Sequence, residues 1–151
     1  MPTLSSSQNI NGSASDLATL TTASFAVTIG DILVVKAISQ DVITVPGTPT
    51  ATGVDFTSLY LNAVASNVGM GVWYGKVTAD ASITVSVGWS GTAGWHSMTV
   101  ERWTNAQISL ALNTVTRQVV GLGLGVNATI ATSNLAYVSY CVGDYAGIAP
   151  S

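Results

Sequence analysis

A chain of 151 residues fits one domain and is long enough to bury a core without disulfide or metal staples. Apolar residues make up 48% and charged residues only 7%, against about 25% charged in ordinary soluble proteins. The net charge of −3, with Lys36, Lys76, Arg102 and Arg117 as the four cations, excludes binding that rests on many Lys and Arg contacts to phosphate.

The mean hydropathy of +0.48 raises the question of a membrane. A spanning helix needs about 20 apolar residues, and the longest aliphatic run here is 32–35, closed by Asp31 and Lys36. A small outer-membrane barrel would separate lipid-facing from lumen-facing positions. The strand faces here carry mostly Thr, Ser and Gly instead. The opening MPTLSSSQNINGS has neither the basic residue nor the apolar core of a secretion signal. The single cysteine, Cys141, excludes an intrachain disulfide framework and a multi-cysteine zinc site.

In chain order, residues 1–15 read as an extended N-terminal arm or a first edge strand, and 16–151 as one domain without a linker. DILVVKAIS (31–39) is a β-branched run after a Gly30-Asp31 turn signal. Residues 46–55, rich in Pro, Gly and Thr, read as the longest coil-like loop. SLYLNAVAS (58–66) and MGVWYGKVT (70–78) alternate. ITVSVGW (83–89) puts Ile83, Val85, Val87 and Trp89 on one face and Thr84, Ser86 and Gly88 on the other, the period of two that marks a strand. WHSMTVERW (95–103), NATIATS (127–133) and AYVSYCV (136–142) follow. Short strands separated by frequent turn signals, with no amphipathic helix of ordinary length, predict an all-β antiparallel sandwich, jelly-roll or Ig-like.

The stretch 82–103 concentrates unusual side chains: three of the four Trp, the only His, the only Glu and one of two Arg. On a strand, His96, Met98, Val100 and Arg102 share one face and Glu101 the other. His96 and Arg102 then stand about 20 Å apart at roughly 3.3 Å per residue, too far for the hydrogen-bond reach that acid–base partners need. The bland reading is a partly buried His96 and a solvent-facing Glu101.

The remaining motifs weaken as chemistry. GWSGT (88–92) resembles a G-x-S-x-G nucleophile elbow but has Thr92 at the second Gly and no following helix. GLGLG (121–125) departs from the phosphate-cradling G-x-G-x-x-G and reads as a turn or bulge. Cys141 lies in an apolar strand, where a free Cys packs as a small hydrophobe. Asp41, Asp55, Asp80 and Asp144 lie near turns without the D-x-D spacing of a calcium loop. The sequons at Asn11 and Asn127 carry meaning only in a secreted chain. No cofactor and no metal is expected.

The aromatics remain. Trp and Tyr join an apolar body to a polar tip and so serve cores, protein interfaces and sugar platforms alike. Trp89, in line with Ile83, Val85 and Val87, is expected in the core. Trp95 and Trp103 alternate with Ser97, Thr99 and Glu101 and are expected on the outer face. Trp95, Trp103, Trp73 and Tyr74 are the candidate interface or ligand contacts, with protein interface and glycan platform both open.

The order SFAVTIGDILVVKAIS, an aromatic-bearing strand, then GVWYGKVTADASITVSVGWSGTAGWHSMTVERWTNA resembles a β-sandwich domain of tailed-bacteriophage virion proteins. The matching segments are 30–35, 72–76, 83–89 and 98–105, within a span of roughly residues 24 to 145. One departure is TPTATGVDFTSL, which lacks the Trp of the family's Pro-x-Gly-Trp turn. The resemblance implies a non-enzymatic structural component of a virion, in a tail, a fibre or a capsid decoration, and carries no catalytic residue. Its partners would be copies of itself and other virion proteins, without nucleic acid or a membrane span. The alternative is a glycan-binding module that contacts a host surface. Low charge fits the first reading, since obligate interfaces are depleted in charge and a free monomer of this composition would be poorly protected against association.

Overall fold

The computed structural model describes residues 3–12, 18–40, 45–64, 68–90 and 95–106. The expected strands at 127–133 and 136–142, together with GLGLG, Cys141, Asp41, Asp144, Arg117 and Asn127, lie outside them. The described residues are all β, in nine strands with no helix, and none therefore forms a helix long and apolar enough to cross a membrane.

Five strands make the main sheet. In chain order they are β1 (Thr3–Gly12), β4 (Ile32–Gln40), β5 (Val54–Val64), β6 (Val68–Val77) and β9 (Trp95–Thr104). Their spatial order is β1-β9-β4-β6-β5, every neighbouring pair antiparallel. The β-branched run of 32–35 takes the central position, where a strand is paired on both sides and both faces can be covered. Residues 3–12, one end of the segment read as an arm or edge strand, pair with β9 as the outermost strand on that side among the described residues.

Four short strands pair separately: β2 (Thr19–Thr21) with β8 (Ser86–Gly88), and β3 (Phe25–Val27) with β7 (Ala81–Ile83). Periodicity over three residues is too brief to announce β2 and β3. The run 83–89, expected as one strand, is split between β7 and β8. Its alternation survives the split: Ile83, Val85, Val87 and Trp89 are all buried. Thr22 bridges the break. Its N–H donates to the Val85 carbonyl at 2.9 Å, and its Oγ1 accepts from the Val85 N–H at 2.9 Å. A buried hydroxyl thus stands in for a ladder bond while the chain changes partners.

The expected loop at 46–55 is more ordered than its composition suggests. Thr50 and Ser86 exchange both backbone hydrogen bonds, at 2.9 and 3.0 Å, and the Gly47 N–H donates to the Gly88 carbonyl at 2.8 Å. Val54 already belongs to β5, so that strand starts four residues before the alternation at 58–66 announces it. Gly53, at φ +72°, makes the turn that lets Thr78 donate to its carbonyl from both N–H and Oγ1.

One buried cluster unites the two sets of strands. Leu33, Val35 and Ala37 of β4, Trp73 of β6, and Met98 and Val100 of β9 pack with Leu20, Val27, Ile83, Val85, Val87 and Trp89 from the short-strand segments. Trp73 needs Gly71 for its place: a Cβ built on Gly71 would stand 1.9 Å from the indole ring. The opposite face of the main sheet carries a second cluster of Ile32, Val34 and Val72, with Leu59, Trp103 and Ala106 packed against it.

Candidate interaction surface

The strand register decides which polar side chains meet. Val34 lies opposite both Glu101 of β9 and Tyr74 of β6, and Ile32 lies opposite both Trp103 and Lys76. Because side chains alternate between faces, Glu101, Trp103, Tyr74, Lys36 and Lys76 share the face that holds Ile32 and Val34. There the Lys36 ammonium meets the Glu101 carboxylate at 2.6 Å, and the Trp103 indole N–H donates to the other Glu101 oxygen at 3.2 Å. Glu101 is half-buried, not turned freely to solvent as its position in the alternation suggests.

The other face takes Arg102. Its Nε donates to Asp31 at 2.6 Å, and the same carboxylate oxygen accepts the Thr28 N–H at 2.8 Å. Asp31 is buried, at 4% exposure. This pair clasps the start of β4 to the end of β9 and leaves Arg102 committed to structure.

His96 is fully buried rather than partly so, at 1% exposure. Its ring stacks on Trp89 with centroids 4.4 Å apart and planes 9° from parallel. His96, Glu101 and Arg102 therefore face three different partners: an indole in the core, a lysine on the outer face, and an aspartate at the strand end. They do not converge on any common point.

The four aromatic candidates part company. Trp73 is a correction: it is fully buried in the main core, and so offers no surface to a partner. Trp103 and Tyr74 are half-buried on the outer face. Trp95 heads β9 opposite Gln40, and its side chain lies outside the described set. Strand alternation in β6 sets Trp73 with Gly71, Gly75 and Val77, all buried, against Tyr74, Lys76 and Thr78 on the other side, so the alternation itself pointed Trp73 inward. Gly71, two residues before Trp73 on the same face, was a further signal, since it makes room for the indole.

A shallow open depression of about 300 Å³ is lined by Thr50, Ala51, Thr52, Thr84 and Ser86. That lining offers hydroxyls but neither an ionisable group nor an aromatic ring. Asp80 accepts the Ile29 N–H at 2.6 Å and so caps a turn. Among the described residues no three His, Cys, Asp or Glu side chains come together as metal ligands do. Compared with known protein families, curated proteins and solved structures, the chain matches none.

Proposed function

We propose that the chain is a non-enzymatic structural protein of a bacteriophage virion, a tail, fibre or capsid-decoration component, built as a β-sandwich and assembling through surfaces of low charge. The observation that carries this reading is an apolar cluster on the outer face of the main sheet, the face turned away from the main core. One face holds the main core, and the other holds Ile32, Val34, Val72, Leu59 and Trp103. The outer-face cluster stands beside Lys36, Glu101 and Lys76, an apolar patch with a charged margin, which is the make-up of an interface centre and its rim. The cluster uniting the five-stranded sheet with the short-strand pairs supports the two-layer arrangement.

The resemblance to virion domains adds to this reading on strand pattern: the segments 30–35, 72–76 and 98–105 largely fall on β4, β6 and β9. A glycan-binding role is the second reading, favoured by Trp103 and Tyr74 standing on the same face as the Lys36–Glu101 pair. Ring platforms beside hydrogen-bonding groups are what sugar recognition uses.

The test is to look for the protein in purified particles by mass spectrometry and to count its copies against the major capsid protein. A fixed stoichiometric ratio supports the structural role. Absence from particles, with saturable binding to a glycan array abolished by Trp103→Ala, favours the second reading.

A further inference from the structure

Where β9 ends, the chain turns onto the apolar outer face of its own main sheet. Ile32, Val34 and Val72 form the centre of that face, and Leu59, Trp103 and Ala106 pack against them. All but Ala106 belong to strands of the sheet. Ala106 lies two residues past Thr104, the last residue of β9. Between them Asn105 has φ +54°, in the left-handed region that Asn tolerates better than most residues. The strand therefore does not run on past the sheet. It bends at Asn105 and sets Ala106 against the outer cluster.

The sequence beyond Ala106 suits the same face. Ile108, Leu110 and Leu112 follow Ala106 at intervals of two, with Gln107, Ser109 and Ala111 between them. Side chains of an extended chain alternate between two sides. Extended continuation from Ala106 thus puts Ile108, Leu110 and Leu112 on the side that already meets the sheet. No charged residue occurs between Arg102 and Arg117. A segment of that make-up covers apolar surface without taking a charge out of water.

Reach agrees with chemistry. The cluster extends along β4 from the row of Ile32 to the row of Lys36, where Val72 stands opposite, about 13 Å at roughly 3.3 Å per residue. Residues 106–112, extended, span about 20 Å on the same measure.

We infer that residues 106–112 lie extended over the outer face of their own main sheet, with Ile108, Leu110 and Leu112 on the cluster of Ile32, Val34 and Val72. One strand occupies about 5 Å of a face that measures roughly 19 Å across five strands, so the segment covers a stripe. Leu4, opposite Trp103 and 47% exposed, and Leu59 on β5 flank that stripe and leave apolar surface for assembly. The segment takes this seat whether or not the protein belongs to a virion. A sugar, in contrast, would have to compete with it for Trp103.

The experiment is disulfide mapping in the full chain, with Cys141→Ser as the background and circular dichroism as the check on folding. Tyr74→Cys, on the outer face opposite Val34, is paired in turn with Ile108→Cys, Leu110→Cys and Leu112→Cys, and then with Gln107→Cys, Ser109→Cys and Ala111→Cys. A disulfide forms only where the Cα atoms come within about 7 Å and the Cβ atoms point together. At low protein concentration at least one pair of the first set is expected to close within the chain, several-fold more than any pair of the second. Leu110→Asp supplies a readout without cysteines. It should raise binding of the dye ANS, a marker of exposed apolar surface, several-fold over wild type, whereas Ser109→Asp should not.

No closure in the first set, equal closure in the two sets, or dye binding unchanged by Leu110→Asp would overturn the inference. So would disulfides that join two copies and persist on dilution, which would give the face to the segment of a second copy. A first set that closes in a protein absent from particles would overturn the virion reading alone.

Discussion

Trp89 and His96 stack nearly parallel, 4.4 Å between ring centroids, although seven residues and a change of strand separate them. Trp89 continues the buried series of Ile83, Val85 and Val87 past the end of β8, and His96 is the second residue of β9. Their contact closes the core where the chain turns from the short strands back into the main sheet.

Trp89→Ala should therefore empty a core site and cost about 3–5 kcal/mol, the usual range for a large aromatic. His96→Ala should cost about 0.5–3 kcal/mol, with no specific loss of an activity. The double variant should reveal a coupling of about 0.5–1.5 kcal/mol between the rings. Urea unfolding of the wild type, two single variants and the double variant measures all three; additive losses would mean that the rings pack independently.

Trp103→Ala should behave differently from Trp89→Ala. Trp103 is half-buried on the outer face, with its indole N–H on Glu101. Its removal is expected to cost the domain less than Trp89→Ala does, and to weaken assembly or ligand contact, as truncation of interface aromatics does. Paired denaturation curves and a particle-incorporation assay make the comparison. Unfolding by Trp103→Ala beside a silent Trp89→Ala would invert the face assignment.

Thr22→Val keeps the shape of the side chain and removes the acceptor of the Val85 N–H. A buried donor left without its partner costs about 1–3 kcal/mol. Thr22→Ser, which restores the oxygen, should recover more than half of that loss. A silent Thr22→Val beside a costly Thr22→Ser would show that packing of the methyl group, rather than the hydrogen bond, holds the junction between β7 and β8.

Arg102→Met should cost about 3–5 kcal/mol, because it strands the Asp31 carboxylate in a site of 4% exposure. Adding Asp31→Asn removes the charge, keeps an acceptor for the Thr28 N–H and should return much of the stability. Lys36→Met on the outer face should cost less, since Lys36 keeps 27% of its side chain exposed and Glu101 retains the Trp103 donor. Chemical denaturation of the three variants orders them, and a costlier Lys36→Met would reverse the ranking of the two ion pairs.

Gly71→Ala should destabilise by about 1–3 kcal/mol through overpacking, since the added Cβ collides with the Trp73 indole at 1.9 Å. Gly71→Ala combined with Trp73→Phe, a smaller ring, should cost less than the sum of the two single changes. A fluorescence-monitored melt of each variant with Trp73 retained, and circular dichroism for the rest, measures this. Strict additivity would place the indole elsewhere.

By itself the sequence determined the all-β class, the antiparallel period and the long strands at 31–39, 70–78 and 95–103. Those features are local: a period of two over seven or more residues, with β-branched and aromatic enrichment, persists in any packing that buries one face. It also determined that Trp89 goes with Ile83, Val85 and Val87 and that Trp103 goes with Glu101, because alternation fixes which residues of one segment share a side. Tertiary structure alone decided the partners. Asp31 reaches Arg102 and Lys36 reaches Glu101 across sequence separations of 71 and 65 residues, through a register that no local pattern encodes. It decided the fate of Trp73 as well: alternation groups Trp73 with Gly71, Gly75 and Val77 against Tyr74, Lys76 and Thr78, but which of the two sides meets the core depends on what the sheet packs against. The split of 83–89 into two pairings followed from Thr22, whose hydroxyl matters only where the fold brings it to Val85. Periodicity is a property of one segment, whereas register, face coverage and partner choice belong to pairs of segments far apart in the chain.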